Sequence, residues 1–418
     1  MNIVLMAFGS RGDIQPFLAL AVALRERGHS VSLAAPGDFE AQIGAYGVPY
    51  LHIPISNMDF MQSDFSQKAA RGITPATLLA LWREVVPEMR RALLATMHLV
   101  TEAVRDADLL ISHGFLVPAA YSIHQKTGIP LVLSIAAPVV SSQQFSPVMP
   151  PPPFGKRFLY PLSYQLLVRG VLSFMFQPMH TYRREVGLPK IAAGQVANLL
   201  LKAELPVLMH YSKHLAPAAT DWNANVRVTG AWPLPAPPNW TPPEKLSAFL
   251  AQGEPPVYVG FGSMPVHEPE RTSQMISDAL RLAGLRGVLQ AGWAGMGHED
   301  DHLITIGDAP HDWLFPRMAA IVHHGGAGTT HSAARAGKPA LVVPFNADQP
   351  FWGRRVAELG VGVPQMKRKQ LTVERLAAAL RTLTQDNALR ERAAEMGARL
   401  RAEDGLGAAC EWVERHAQ

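Results

Sequence analysis

One run, residues 322–353, VHHGGAGTTHSAARAGKPALVVPFNADQPFWG, restricts the fold of this chain more than any other stretch. The apolar Ala320, Ile321 and Val322 predict a strand that stops at His323 and His324. Gly325, Gly326 and Gly328 then allow a tight turn and let the backbone approach a ligand without Cβ hindrance. Thr329 and Thr330 predict the opening of a helix running to Arg335, closed by Gly337 and Pro339. Residues 340–343 predict the next strand, and Asp348-Gln349 falls just past its end, where open α/β sheets take their ligands. Free N–H groups at a helix start, fronted by glycines and a histidine, suit a phosphate. A polar pair such as Asp348-Gln349 suits sugar hydroxyls, so the run points to a nucleotide-linked sugar. A glycine-rich turn kept for packing alone remains open at this stage.

The same rhythm recurs elsewhere. Strands are predicted over 2–8, 30–35, 108–112, 130–135 and 206–210, and a helix over 14–27 with Pro16 near its start and Gly28 past its end. A second series covers 257–261, 287–291, 303–306, 319–322 and 340–343, and the tail 376–418 reads as helices. Strands alternating with helices predict parallel sheets covered on both faces. With 418 residues the chain exceeds one ordinary core. Proline density over 231–256 marks the joint, with a short helix over 244–251. The expected organisation is a domain over 1–232, a linker over 233–256 and a second domain over 257–418.

Composition excludes several classes. With 48% hydrophobic and 17% charged residues the chain is neither disordered nor fibrous. A net charge of +4 is too small to argue for nucleic acid. Cys410 alone forms no internal disulfide and fits a reducing compartment. Met1 leads straight into an apolar strand without a basic leader, so a cytoplasmic location is expected. The apolar stretch 158–179 is flanked by Lys156, Arg157, Arg183, Arg184 and Lys190, and broken by Pro161, Gln165 and Arg169. It reads as a helix at a membrane surface, a lid over a greasy pocket, or a packed helix with basic ends.

GSRGDIQP at 9–16, PHDWLF at 310–315, HHGGAGTT at 323–330 and DQPFWG at 348–353 together resemble the GT-B glycosyltransferases. The likeness is greatest to the bacterial and fungal sterol 3-β-glucosyltransferase group, and the antibiotic-aglycone enzymes of actinomycetes share most of these motifs. The resemblance spans both halves and implies two Rossmann-like, doubly wound α/β domains facing across a cleft. It implies Asp13 as general base, with an N-cap role as the structural alternative. Ser10, Arg11, Phe115, Phe145 and Met149 would line the acceptor side. Gly262, Ser263, His324, Gly326, Gly328 and Thr329 would meet the donor's diphosphate and ribose, Trp313 the nucleobase, and Asp348 and Gln349 the sugar.

The implied reaction is an inverting, metal-independent transfer of glucose from UDP-glucose to a lipophilic hydroxyl, with no cofactor beyond the nucleotide sugar. Met58, Phe60, Met61 and Phe65 add soft apolar surface for such an acceptor. His311, His323, His324 and His331 lack the spacing of a metal site. Ser332 stands where plant relatives carry a ribose-binding glutamate, and Ala309-Pro310-His311-Asp312 replaces their box opener. A dTDP-sugar donor and a polyketide, flavonoid or peptide aglycone therefore stay open. So do an epimerase acting on the UDP-sugar alone and a non-catalytic binding module.

Overall fold

The computed structural model describes residues 1–56, 83, 85–144 and 160–416. The chain forms two compact units. Unit 1 comprises Met1–Lys213, Pro217–Trp232 and Asp404–Gln418, and unit 2 comprises His214–Ala216 and Pro233–Glu403.

In unit 1, β1 (Asn2–Met6) is followed by α1 (Arg11–Glu26), β2 (Ser30–Pro36) and β3 (Tyr50–Ile53). Then come β4 (Leu109–His113), β5 (Leu131–Ile135), β6 (Val207–Met209) and β7 (Val226–Val228). Their order in the sheet is β3-β2-β1-β4-β5-β6-β7, with all pairings parallel. Strands β4 and β5 are buried at every position, as expected for strands covered on both faces. The chain winds outward from β1 to β3, then returns to β4 on the other side of β1. That reversal opens a crevice at the carboxyl ends of β1 and β4.

Unit 2 repeats the plan. It runs β8 (Val257–Gly260), α2 (Pro269–Ala283), β9 (Gly287–Gln290), β10 (Leu303–Ile306), β11 (Ala320–His323), α3 (Ala327–Arg335), β12 (Ala340–Val342) and α4 (Gln349–Glu358). The sheet order is β10-β9-β8-β11-β12, again all parallel. Val257, Val259, Leu289, Leu303, Val322 and Leu341 form its core with Ile276 and Leu280 of α2. The reversal here lies between β8 and β11.

Two features depart from the sequence reading. The first is the tail. Its last helix, α5 (Gly405–His416), belongs to unit 1, not to the second domain. Ala409, Cys410, Trp412 and Val413 are buried, and Glu414 takes Arg27 Nε and Nη2 at 2.8 and 2.7 Å and His29 Nε2 at 3.0 Å. Gly405 lies so close to Ala231 that a methyl group on it would stand 2.3 Å from the Ala231 carbonyl oxygen. The second is the proline-rich stretch, which is folded onto unit 2. Its helix Glu244–Leu250 is held by Arg286, whose guanidinium lies 4.0 Å from the centre of the Phe249 ring.

The apolar segment after residue 159 becomes the helix Tyr160–Leu172, a 3-10 turn Ser173–Met175 and the helix Phe176–Glu185. Tyr164, Val168, Leu172, Met175 and Met179 are buried, whereas Leu162 and Leu166 are 54% and 65% exposed. Among the described residues no helix is long and apolar enough to cross a membrane. Met58, Phe60, Met61, Phe65, Phe145, Met149, Lys156, Arg157 and Phe158 lie outside the described residues.

Candidate active site

Each unit places chemistry at its own switch point. In unit 1 the turn after β1 passes through Gly9, whose φ of +130° disfavours a side chain. A methyl group there would also stand 2.3 Å from Asp13 Oδ2. Helix α1 begins at Arg11, earlier than the expected residue 14, because Asp13 itself organises its first turn. The Ser10 backbone N–H donates to Asp13 Oδ2 at 2.7 Å and the Ser10 hydroxyl donates to the same oxygen at 3.1 Å. Asp13 is thus the third residue of the helix reaching back to the cap, not the cap itself. One oxygen is committed to the fold, and the side chain remains 37% exposed.

Oδ1 of Asp13 faces His113 Nε2 at 3.6 Å. His113 ends β4, which lies beside β1 with Met6 opposite Ser112. It is buried between Phe17 and Phe115, with ring centres 6.0 and 5.5 Å away. Burial holds its pKa below the ordinary histidine value, and the Asp13 charge opposes that shift. Sequence reasoning did not single out His113. A polar residue ending the strand beside β1 was the available signal, but that pairing is a property of topology. Phe115 meets the His113 ring edge-to-face at 5.5 Å. The Arg11 guanidinium donates to the Gln15 amide oxygen at 2.8 and 3.1 Å, with that amide oriented to accept. Phe145 and Met149 lie outside the described residues.

In unit 2 the ring of His324 is wedged between two turns. A methyl group on Gly262, which has φ +60°, would stand 3.2 Å from His324 Cε1, and one on Gly326 would stand 2.5 Å from His324 Nε2. Packing therefore accounts for both glycines. It does not account for Gly328, where a methyl group would meet nothing within 4 Å. Gly326 caps α3, and the N–H groups of its first turn point out of the helix without intrahelical partners. The Gly262 carbonyl is braced by the Trp293 N–H at 3.0 Å, and Ser263 is half-buried beside it. Thr329 is half-buried on the first turn of α3, while Thr330 donates to the Gly326 carbonyl at 2.9 Å.

Burial lowers the pKa of His324 to about 4 and of His323 to about 3, so both are neutral near pH 7. His323 Nδ1 accepts the Gly325 N–H at 3.0 Å, fixing the turn. Among the described residues His324 Nδ1 has no hydrogen-bond partner. As a neutral ring His324 offers an N–H rather than a charge.

Asp348 and Gln349 start α4 just after Ala347, a non-glycine residue held at φ +52°. Such strain is kept where a neighbouring group must be aimed. The Asp348 carboxylate accepts Trp352 Nε1 at 2.7 Å and makes no side-chain cap. Gln349 is buried. Its Oε1 accepts from the Phe345 and Asn346 N–H groups at 2.7 and 3.1 Å, and its amide nitrogen faces Met264 Sδ at 3.2 Å. Through Met264 the structure brings Gln349 to the Gly262 turn. Trp313 is different. It packs edge-to-face on Trp240 at 5.2 Å, lies under Arg317 at 4.2 Å, and lines a depression of about 390 Å³ with Ser247, Leu250 and Pro255. These contacts pack Trp313 beside the helix Glu244–Leu250, at the rim of that depression.

Among the described residues no three His, Cys, Asp or Glu side chains are grouped to hold a metal ion.

Two family models match this chain, one in each half. Residues 3–104 match the glycosyltransferase family 28 N-terminal domain, and residues 294–405 match the erythromycin biosynthesis protein CIII-like C-terminal domain. Sterol 3-beta-glucosyltransferase UGT80B1 of Arabidopsis thaliana is 31% identical over 100% of this chain and 68% of its own length. Vancomycin aglycone glucosyltransferase of Amycolatopsis orientalis is 34% identical over 91% of this chain and 90% of its own. This chain belongs to the GT-B glycosyltransferases. The glycosyltransferase spans about two thirds of the plant sterol enzyme and only 33% of the sterol 3-beta-glucosyltransferase of Pichia angusta. Among solved structures, glycosyltransferase VinC in complex with dTDP superposes with a TM-score of 0.66 at 18% identity, covering 100% of this chain and 99% of its own. That likeness carries the fold alone.

Proposed function

We propose that this glycosyltransferase moves glucose from UDP-glucose to a hydroxyl of a lipophilic acceptor such as a sterol, with inversion and without a metal ion. The observation that carries the donor half is the His324 ring wedged between Gly262 and Gly326 at the open start of α3. In this reading the α3 N–H groups, Thr329 and His324 bind the diphosphate, and Asp348 and Gln349 bind the sugar. For Asp348 one carboxylate oxygen is already anchored by Trp352. For Gln349 the amide N–H facing the weak acceptor Met264 Sδ is the group most easily redirected.

The chemistry is a single displacement. The acceptor hydroxyl gives its proton to the Asp13 carboxylate as its oxygen bonds to the anomeric carbon. The electron pair of the breaking bond between that carbon and the donor oxygen leaves with UDP. Negative charge grows on the departing diphosphate, where oriented N–H donors stabilise it without reorganising. Attack opposite the leaving group converts an α-linked donor into a β-glycoside. Leu162 and Leu166, exposed one turn apart, suit a peripheral contact with a membrane that holds the acceptor. A cytoplasmic location fits the same reading.

A second reading is favoured by Ser332. Without a carboxylate at that position the enzyme need not require a ribose 2′-hydroxyl, so a dTDP-sugar and a natural-product aglycone fit as well. Incubation with UDP-glucose or dTDP-glucose and a hydroxysteroid, followed by mass spectrometry, separates the two. The proposal predicts a hexosyl steroid from UDP-glucose. Transfer from dTDP-glucose alone, or only to polar aglycones, supports the second reading. Donor isomerisation without acceptor would reveal an epimerase, and UDP binding without turnover a binding module.

A further inference from the structure

The displacement just described gives His113 no task, yet the fold holds this histidine against the proposed base. A carboxylate that must receive a proton in one direction needs both oxygens placed. Both Ser10 donors grip Oδ2, at 2.7 and 3.1 Å, and leave Oδ1 to its other neighbour. That neighbour is His113 Nε2, at 3.6 Å. The histidine side chain is only 5% exposed, and Phe17 and Phe115 fix its ring plane.

The tautomer follows from burial. Among the described residues His113 Nδ1 has no hydrogen-bond partner. A proton there would bury an unmatched N–H, which folded proteins avoid more strictly than an unmatched acceptor. The ring proton is therefore on Nε2, aimed at Asp13. From the other elements around it, His113 meets the Asp13 carboxylate from α1 and, beyond the Phe17 ring at 6.2 Å, His210 past the end of β6. A separation of 3.6 Å exceeds hydrogen-bond length, and catalytic contacts of this kind commonly tighten only when substrate is bound.

We propose that His113 is the positioning residue of Asp13: its Nε2–H holds Oδ1 toward the acceptor hydroxyl while Ser10 holds Oδ2. The inference rests on Asp13 being the base. His113 keeps its own proton throughout. The acceptor's proton arrives at Oδ1, whose second lone pair still accepts from Nε2–H. Buried and neutral, the ring orients the base without competing for its proton.

The isosteres separate the two ring nitrogens. His113→Gln keeps an N–H near the Nε2 position, whereas His113→Asn keeps only the Nδ1 position. With UDP-glucose and a hydroxysteroid, His113→Asn lowers kcat on the order of 10²-fold, KM for UDP-glucose stays unchanged, and His113→Gln restores most of kcat. In an Asp13→Asn background, His113→Asn adds no further loss, because the two act as one unit. Wild-type kcat in His113→Asn, or equal losses in Asn and Gln variants of unchanged fold, overturns the proposal. If neither variant folds, ¹⁵N NMR of histidine-labelled wild-type protein decides: a proton on Nε2 of His113 is expected, and one on Nδ1 overturns it. Retained turnover in Asp13→Asn alone sinks the base assignment instead, a result distinct from a silent His113→Asn.

Discussion

Three histidines around α3 carry a consequence measurable without substrate. His323, His324 and His331 are held neutral by burial, with pKa values lowered to about 3, 4 and 4. In the unfolded chain each takes up a proton near pH 6.5. Between pH 6.5 and 4 the unfolded state binds more protons, so stability is complete above that window and falls as the pH drops through it. Each such histidine adds a slope of up to about 1.4 kcal/mol per pH unit. His331 Nδ1 donates to the Ala327 carbonyl of its own helix at 2.7 Å. His331→Asn, which keeps an N–H for that carbonyl, is expected to flatten the fall in denaturation free energy between pH 6.5 and 4.5 by close to one proton's worth. An unchanged slope in urea titrations would show that His331 is not held neutral. At this scale the sequence was a partial guide. Asp13 and His324 stood out from their glycine turns, but His113 did not. It lies a hundred residues from Asp13, and only the parallel pairing of β1 with β4 brings the two rims together.

At the scale of elements, α3 distinguishes a packing turn from a ligand turn. Gly326→Ala forces a methyl group 2.5 Å from His324 Nε2, so it disturbs fold and site together. Gly328→Ala meets nothing within 4 Å. It sits in the first turn of α3, where alanine is favoured over glycine by less than the roughly 1 kcal/mol of a helix interior. If the donor diphosphate lies against this turn, Gly328→Ala melts at or above the wild-type temperature while UDP binds at least several-fold more weakly by calorimetry. Unchanged UDP affinity would place the diphosphate elsewhere. Most strands were readable because parallel, doubly covered strands are nearly continuous apolar runs, as in 257–260 and 109–111. Tyr50–Ile53 and Val226–Val228 were not. They are short, half-exposed outer strands whose sequences, YLHI and VRV, lack that signature.

For the molecule as a whole, the chain leaves unit 1, builds unit 2 and returns to finish unit 1 with α5. Sequence order assigned that helix to its nearest neighbours, whereas burial of Trp412 and Val413 and the Glu414 contacts with Arg27 and His29 assign it to the first unit. A chain ending at Glu403 loses burial worth about 1.5–3 kcal/mol for each large apolar side chain. The expected outcome is a destabilised unit 1, seen as an early thermal transition, with UDP affinity retained if the diphosphate binds at the His324 turn of unit 2. Loss of UDP binding with an intact unit 1 would contradict this division.

In the proposed reaction the base is the carboxylate held by Ser10 in unit 1, and the diphosphate site is the turn built around His324 in unit 2. The most direct test is the anomeric configuration of the product formed from UDP-glucose, read by NMR for the wild-type enzyme and for Asp13→Asn. Single displacement with Asp13 as base predicts a β-glucoside from the wild type and turnover lowered by about 10²–10⁴-fold in the variant. An α-glucoside, or undiminished turnover in Asp13→Asn, would contradict it.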